Sequence, residues 1–271
     1  MRIVRVSLLL GLVWLAGCET VPSEVAPDQI EAARRMLEAG ETVVALPADA
    51  RTRAKAHTDL AAAYYELGNL AVALEETQIA LRADPGYAPA YNIQGLVHMD
   101  LREHDKAEQS FKRGLQLAPQ DPDLNHNYGW FLCQTNRAEE SVRWFLNAVK
   151  NPLYRTPARS YAAAGRCSEK INPKDAQEFY ERALQLDPRN APAMLSLADL
   201  HYRQGRLGEA SELLTRYHKL VPEPSAESLW LGVRVERKLG NRVAADSYAA
   251  QLRRRHADSP QYQALLRGQY E

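Results

Sequence analysis

The chain repeats itself with a period of 34 residues. Pro85 and Pro119 stand 34 residues apart, as do Pro188 and Pro222, and Pro119 and Pro188 are separated by two such periods plus one residue. Three of these prolines close similar segments: Ala80-Leu81-Arg82-Ala83-Asp84-Pro85, Gly114-Leu115-Gln116-Leu117-Ala118-Pro119 and Ala183-Leu184-Gln185-Leu186-Asp187-Pro188. A period of this length marks a small unit stacked on copies of itself. No such unit buries its apolar face alone, so stacking must supply a continuous core. Between the prolines Ala, Leu, Glu, Arg and Gln dominate, residues that lose little entropy in a helix. Proline then ends each helix because it cannot continue the hydrogen-bond ladder. Nearly all-α structure is the expectation.

Place-by-place counting sharpens the pattern. From Ala54, the eleventh place is Tyr64, the fifteenth Gly68, the twentieth Ala73, the twenty-seventh Ala80 and the thirty-second Pro85. A second period from Ala88 has Tyr91, Gly95, Ala107, Phe111 and Gly114 at corresponding places. Four more start near Pro122, Pro157, Ala191 and Ala226. Small residues at places eight, twenty and twenty-seven let two antiparallel helices approach, aromatic residues fill the gap to the next unit, and Gly at place fifteen suits a left-handed turn. The pattern resembles the tetratricopeptide repeat (TPR). That likeness implies a right-handed TPR superhelix of about six helix-turn-helix repeats, spanning residues 53–258, with a C-terminal cap at 259–271.

The N-terminus reads differently. Arg2 and Arg5 precede an apolar run, Val6 to Ala16, that ends in Leu15-Ala16-Gly17-Cys18. The run is too short for a membrane span, which needs about 20 residues, and has the plan of a secretory leader. The tetrapeptide resembles the bacterial lipobox, in which the Cys thiol is lipidated and becomes the mature first residue. The expectation is a signal peptide at 1–17 and a lipidated tether at 18–27, with Cys18 anchoring the chain to a membrane. Glu19 follows where an Asp would retain such a protein in the inner membrane, which points to the outer membrane. Ile30, Ala33 and Leu37 suggest a helix in a capping region, 28–52.

Enzyme chemistry finds no foothold. The seven His are scattered, no H-E-x-x-H, G-x-S-x-G or Walker pattern occurs, and no cofactor or metal is implied. Basic and acidic residues balance at 34 each, which argues against a nucleic-acid partner. Arg253-Arg254-Arg255 reads as a solvated helix face. Cys133 and Cys167 fall on the first helices of adjacent repeats, where two thiols could meet. In an oxidising compartment they would form a disulfide; the alternative is two buried, inert thiols.

Several segments depart from the general TPR pattern. Asn125-His126-Asn127-Tyr128-Gly129-Trp130-Phe131-Leu132-Cys133-Gln134, Asn151-Pro152-Leu153-Tyr154-Arg155-Thr156-Pro157 and Ala164-Gly165-Arg166-Cys167 resemble signatures of the PilF/PilW family of type IV pilus lipoproteins. Leu229-Trp230-Leu231-Gly232-Val233-Arg234 and Leu239-Gly240 do so as well. His126 stands where Asn would be expected. The resemblance implies a pilotin: a lipid-anchored, periplasm-facing outer-membrane scaffold that helps the pilus secretin reach that membrane and multimerise. A general outer-membrane TPR adaptor, for cell-wall hydrolases or envelope assembly, is the competing reading. Partner binding would use the concave face lined by first helices, at places two, five, nine, twelve and thirteen. Those places include Thr58, Ala62, Tyr65, Leu96, Met99, Trp130, Leu195, Tyr202 and Trp230, an apolar set suited to a partner's apolar segment.

Overall fold

The computed structural model describes residues 49–270. The leader, Cys18, the tether, and Ile30, Ala33 and Leu37 lie outside the described residues. Within them the chain forms helices and no strand. The first pair is α1 (Ala50–Glu66) with α2 (Leu70–Ala83), and the second α3 (Ala88–Asp100) with α4 (His104–Leu117). The third is α5 (Pro122–Gln134) with α6 (Ala138–Ala148), and the fourth α7 (Pro157–Ser168) with α8 (Pro173–Leu186). The fifth is α9 (Ala191–Arg203) with α10 (Leu207–Leu220), and the sixth α11 (Ala226–Lys238) with α12 (Arg242–Arg255). A short α13 (Pro260–Leu266) follows. Residues 50–52 are therefore the first turn of α1.

The sequence writes these boundaries locally. Asp49, Asp121, Asn190 and Ser225 each accept a hydrogen bond from the backbone N–H three residues on, satisfying a donor that the first turn leaves free. Pro122, Pro157, Pro173 and Pro192 sit in first turns, where the missing N–H costs nothing. Between the paired helices, Gly68, Gly205 and Gly240 adopt φ of 74–76°. In repeats two and three the same place holds Arg102 (φ 63°) and Asn136 (φ 62°) instead. A Cβ in that left-handed region costs roughly 1–2 kcal/mol, so packing of the flanking helices holds the turn in shape there.

Within each pair the helices approach closely where small residues face rings. A Cβ added at Gly95 would lie 2.7 Å from the Phe111 ring, and one at Gly165 2.7 Å from Tyr180. At Gly232 it would lie 2.8 Å from Tyr248. Between pairs, each first helix touches the next first helix, and each second helix packs on the first helix that follows it. Among the described residues, the backbones of successive second helices stay more than 8 Å apart. The first helices thus line the inner face of an all-α TPR superhelix. Its core is continuous but uneven. The middle repeats bury Phe111, Tyr128, Phe131, Phe145 and Tyr180 almost completely, whereas α1 and α2 bury only Ala54, Ala61, Ala73 and Ala80 with two threonines.

Candidate protein-binding groove

Six of the nine groove residues expected from sequence are partly exposed: Ala62, Tyr65, Leu96, Met99, Trp130 and Leu195. Burial and a hydrogen bond to Asp100 push the Tyr65 phenol up to about 12, which keeps it neutral. Leu96 and Met99 present only part of their surface, because both also pack against the Phe111–Phe131 core.

Three assignments are corrected by the structure. Thr58 is buried, and its hydroxyl donates to Ala54 O at 2.7 Å, so the side chain is spent within α1. Tyr202 is buried beneath two cations of α11, with the Arg234 guanidinium 4.7 Å and the Lys238 ammonium 4.6 Å from its ring centre. Trp230 is buried under Tyr270, whose ring stacks on it at 5.7 Å. Place five turns inward elsewhere too: Asn92 and His126, which hold it in repeats two and three, are buried like Thr58 and Trp230.

Trp130 and Leu195 come together in one cleft of 560 Å³ between α5, α7 and α9. Ala162 and Ala163 of α7 line it too, and Arg159 and Arg166 stand on either side of these alanines. The Arg166 guanidinium lies 5.7 Å from the Trp130 ring centre. Arg159 donates to Asn127 Oδ1 at 3.4 Å, and Asn127 Nδ2 donates to Asn92 Oδ1 at 3.0 Å, a polar ladder crossing three first helices. Beneath it His126 is 3% exposed, with Nδ1 2.8 Å from Ser160 Oγ, which also meets the Tyr154 hydroxyl at 3.0 Å. Burial, with Arg159 adding repulsion, pulls the His126 pKa down to about 3.

Cys133 and Cys167 are joined in a disulfide with Cα atoms 5.8 Å apart. The bridge ties α5 to α7 in the cluster that also holds Trp130, Ala163 and Phe145. Arg159 and Arg166 were missed by sequence reasoning. The available signal was their spacing: seven residues is two helical turns, so both share the face that carries Ala162 and Ala163. Arg253, Arg254 and Arg255 are exposed at the end of α12. Among the described residues no group of His, Cys, Asp and Glu could hold a metal ion.

Two tetratricopeptide-repeat family models match residues 58–122 and 169–229. The type IV pilus assembly protein PilF of Pseudomonas aeruginosa is 30% identical over 213 residues, covering 77% of this chain and 82% of that protein. The crystal structure of PilW, described as a widely conserved type IV pilus biogenesis factor, superposes with a TM-score of 0.72 at 32% identity, over 79% of this chain and 98% of PilW. The structure of Pseudomonas aeruginosa PilF superposes with a TM-score of 0.75 at 26% identity, over 81% and 99% of the two chains.

Proposed function

Because the chain belongs to the PilF/PilW family of type IV pilus biogenesis TPR proteins, we propose that it is the pilotin of such a system. In this reading it is a non-catalytic scaffold that binds the pilus secretin and promotes its arrival and multimerisation in the outer membrane. One observation carries the reading: the likeness to PilF and PilW runs through almost the whole of those proteins, and it includes the inner face on which Trp130 and Leu195 meet. Lipid on Cys18 would hold the scaffold at the membrane, with residues 18–27 as its tether. Part-exposed apolar side chains on the inner face would take up a segment of the secretin, and burying one such side chain is worth roughly 1.5–3 kcal/mol.

The test is deletion of the gene, followed by measurement of secretin multimers in outer-membrane fractions. Loss of multimers, restored by the wild-type gene, is the expected result. Restoration by Cys18→Ala should be poor although that variant folds normally, and labelled fatty acid should mark only the wild type. Multimers unaffected by deletion would overturn the reading.

A further inference from the structure

Two arginines packed between repeats are neutralised by carboxylates. Arg137 pairs with Glu108 and Glu140, and Arg203 pairs with Glu169 and Asp199. Arg159 and Arg166, at the α5–α7–α9 cleft, differ. Among the described residues neither forms an ion pair, and the cleft lining contains both guanidiniums and no carboxylate. Asp123 of α5 feels the Arg159 charge without pairing to it, and burial raises its own pKa. Among the described residues the Arg159 side chain donates its hydrogen bond to the neutral amide oxygen of Asn127, and Arg166 lies over the face of Trp130. Between the two cations the surface is apolar: Ala162 and Ala163 with Trp130 and Leu195.

We infer that this cleft binds an acidic–aliphatic segment of a partner protein, its aliphatic side chains against Trp130 and Leu195 and its carboxylates on Arg159 and Arg166. Guanidinium and carboxylate match in a bidentate geometry that strengthens where water is excluded, and the aromatic face beside Arg166 limits hydration on one side. Seven residues along a helix span about 10 Å, close to three residues of a polyproline II segment, in which side chains three apart share a face. The segment that fits therefore carries two acidic residues about three positions apart, with aliphatic residues between them. The disulfide between Cys133 and Cys167 holds α5 against α7, so one wall of the cleft is positioned before the partner arrives.

This inference rests on the reading that the inner face docks a partner, and its test separates the two. Purified full-length protein is titrated with a labelled twelve-residue peptide centred on Glu-Leu-Val-Glu and with its Gln-Leu-Val-Gln counterpart. It is also titrated with overlapping peptides from the periplasmic part of the pilus secretin. Wild type should prefer the acidic peptide by about tenfold or more, and that preference should shrink as salt screens the charges. The preference should vanish in Arg159→Gln/Arg166→Gln and survive in part in the double Lys variant. Both arginines are exposed, so melting curves should match wild type. No preference for acid in wild type, or an unchanged preference in the Gln variant, overturns the inference. Acid-dependent binding without any secretin peptide bound would sustain the inference and count against the secretin as partner.

Discussion

At the scale of single residues, His126 sets an acid limit on the fold. Its ring is buried against Phe145 at 5.3 Å, and burial pulls its pKa to about 3. A free histidine titrates near 6.5. The folded pKa is depressed, so the unfolded chain binds the proton first. The stability that a neutral His126 allows is complete above about pH 6.5 and is lost progressively as pH falls from there towards 3. The loss amounts to up to about 3 kcal/mol by pH 4. His126→Asn should flatten this decline, measured by urea unfolding across a pH series. It should not abolish it, because burial also lowers the pKa of His201 and His218. An unchanged slope would show that His126 is solvated in the native state. Glu108 acts lower on the scale. Burial raises its pKa, but hydrogen bonds from Arg137, Lys112 and Tyr128 outweigh burial and bring it to about 2. Its contribution is present above about pH 4.5 and lost as pH falls towards 2.

At the scale of elements, the array is held by contacts between neighbours, and one of these contacts is covalent. The disulfide closes a loop of 34 residues between two first helices. The chain-entropy model gives such a bridge about 3–4 kcal/mol. Cys133→Ser/Cys167→Ser should lower the unfolding free energy by an amount of this order while circular dichroism keeps its helical shape. A loss below about 1 kcal/mol would mean that packing of Trp130, Phe145 and Phe179 already holds α5 and α7 together. The Gly95–Phe111 and Gly165–Tyr180 contacts show the same economy without a bond: a side chain of zero size lets a ring of the partner helix seat against the backbone.

At the scale of the molecule, a stack of repeats has a graded stability, since each unit gains only from its neighbours. The large, fully buried side chains begin at Val97 and run to Leu252 among the described residues. Repeat one buries alanines and α13 buries no residue fully. Hydrogen exchange should therefore be slowest in α5–α8, where the aromatic core and the disulfide lie, and fastest in α1, α2 and α13. Uniform protection from end to end would contradict this gradient and mean that the array unfolds in one step. The proposed cleft lies in the stable middle, which suits a site that must keep its shape before a partner binds.

The repeat, its helical content and its family signatures were legible in the sequence because they depend on local chemistry at a constant spacing. Proline breaks a helix, Asp or Asn caps one, and Gly95 or Gly165 admits a ring, whatever else surrounds them. Even the Arg102 and Asn136 turns obey the period, although neither carries the expected glycine. The groove was legible only in part. Trp130 and Leu195 line one cleft, whereas Trp230 is covered by Tyr270 from beyond the last repeat. Tyr202 is covered in the same way, by Arg234 and Lys238 from the next repeat. Exposure is decided by what neighbouring helices bring, and a count along one helix holds no record of its neighbour. For the same reason the lack of a carboxylate paired with Arg159 or Arg166 could be seen only once α5, α7 and α9 were placed side by side. The sequence by itself determined the unit and its number of copies, and the tertiary structure alone decided which charges were left unpaired between them.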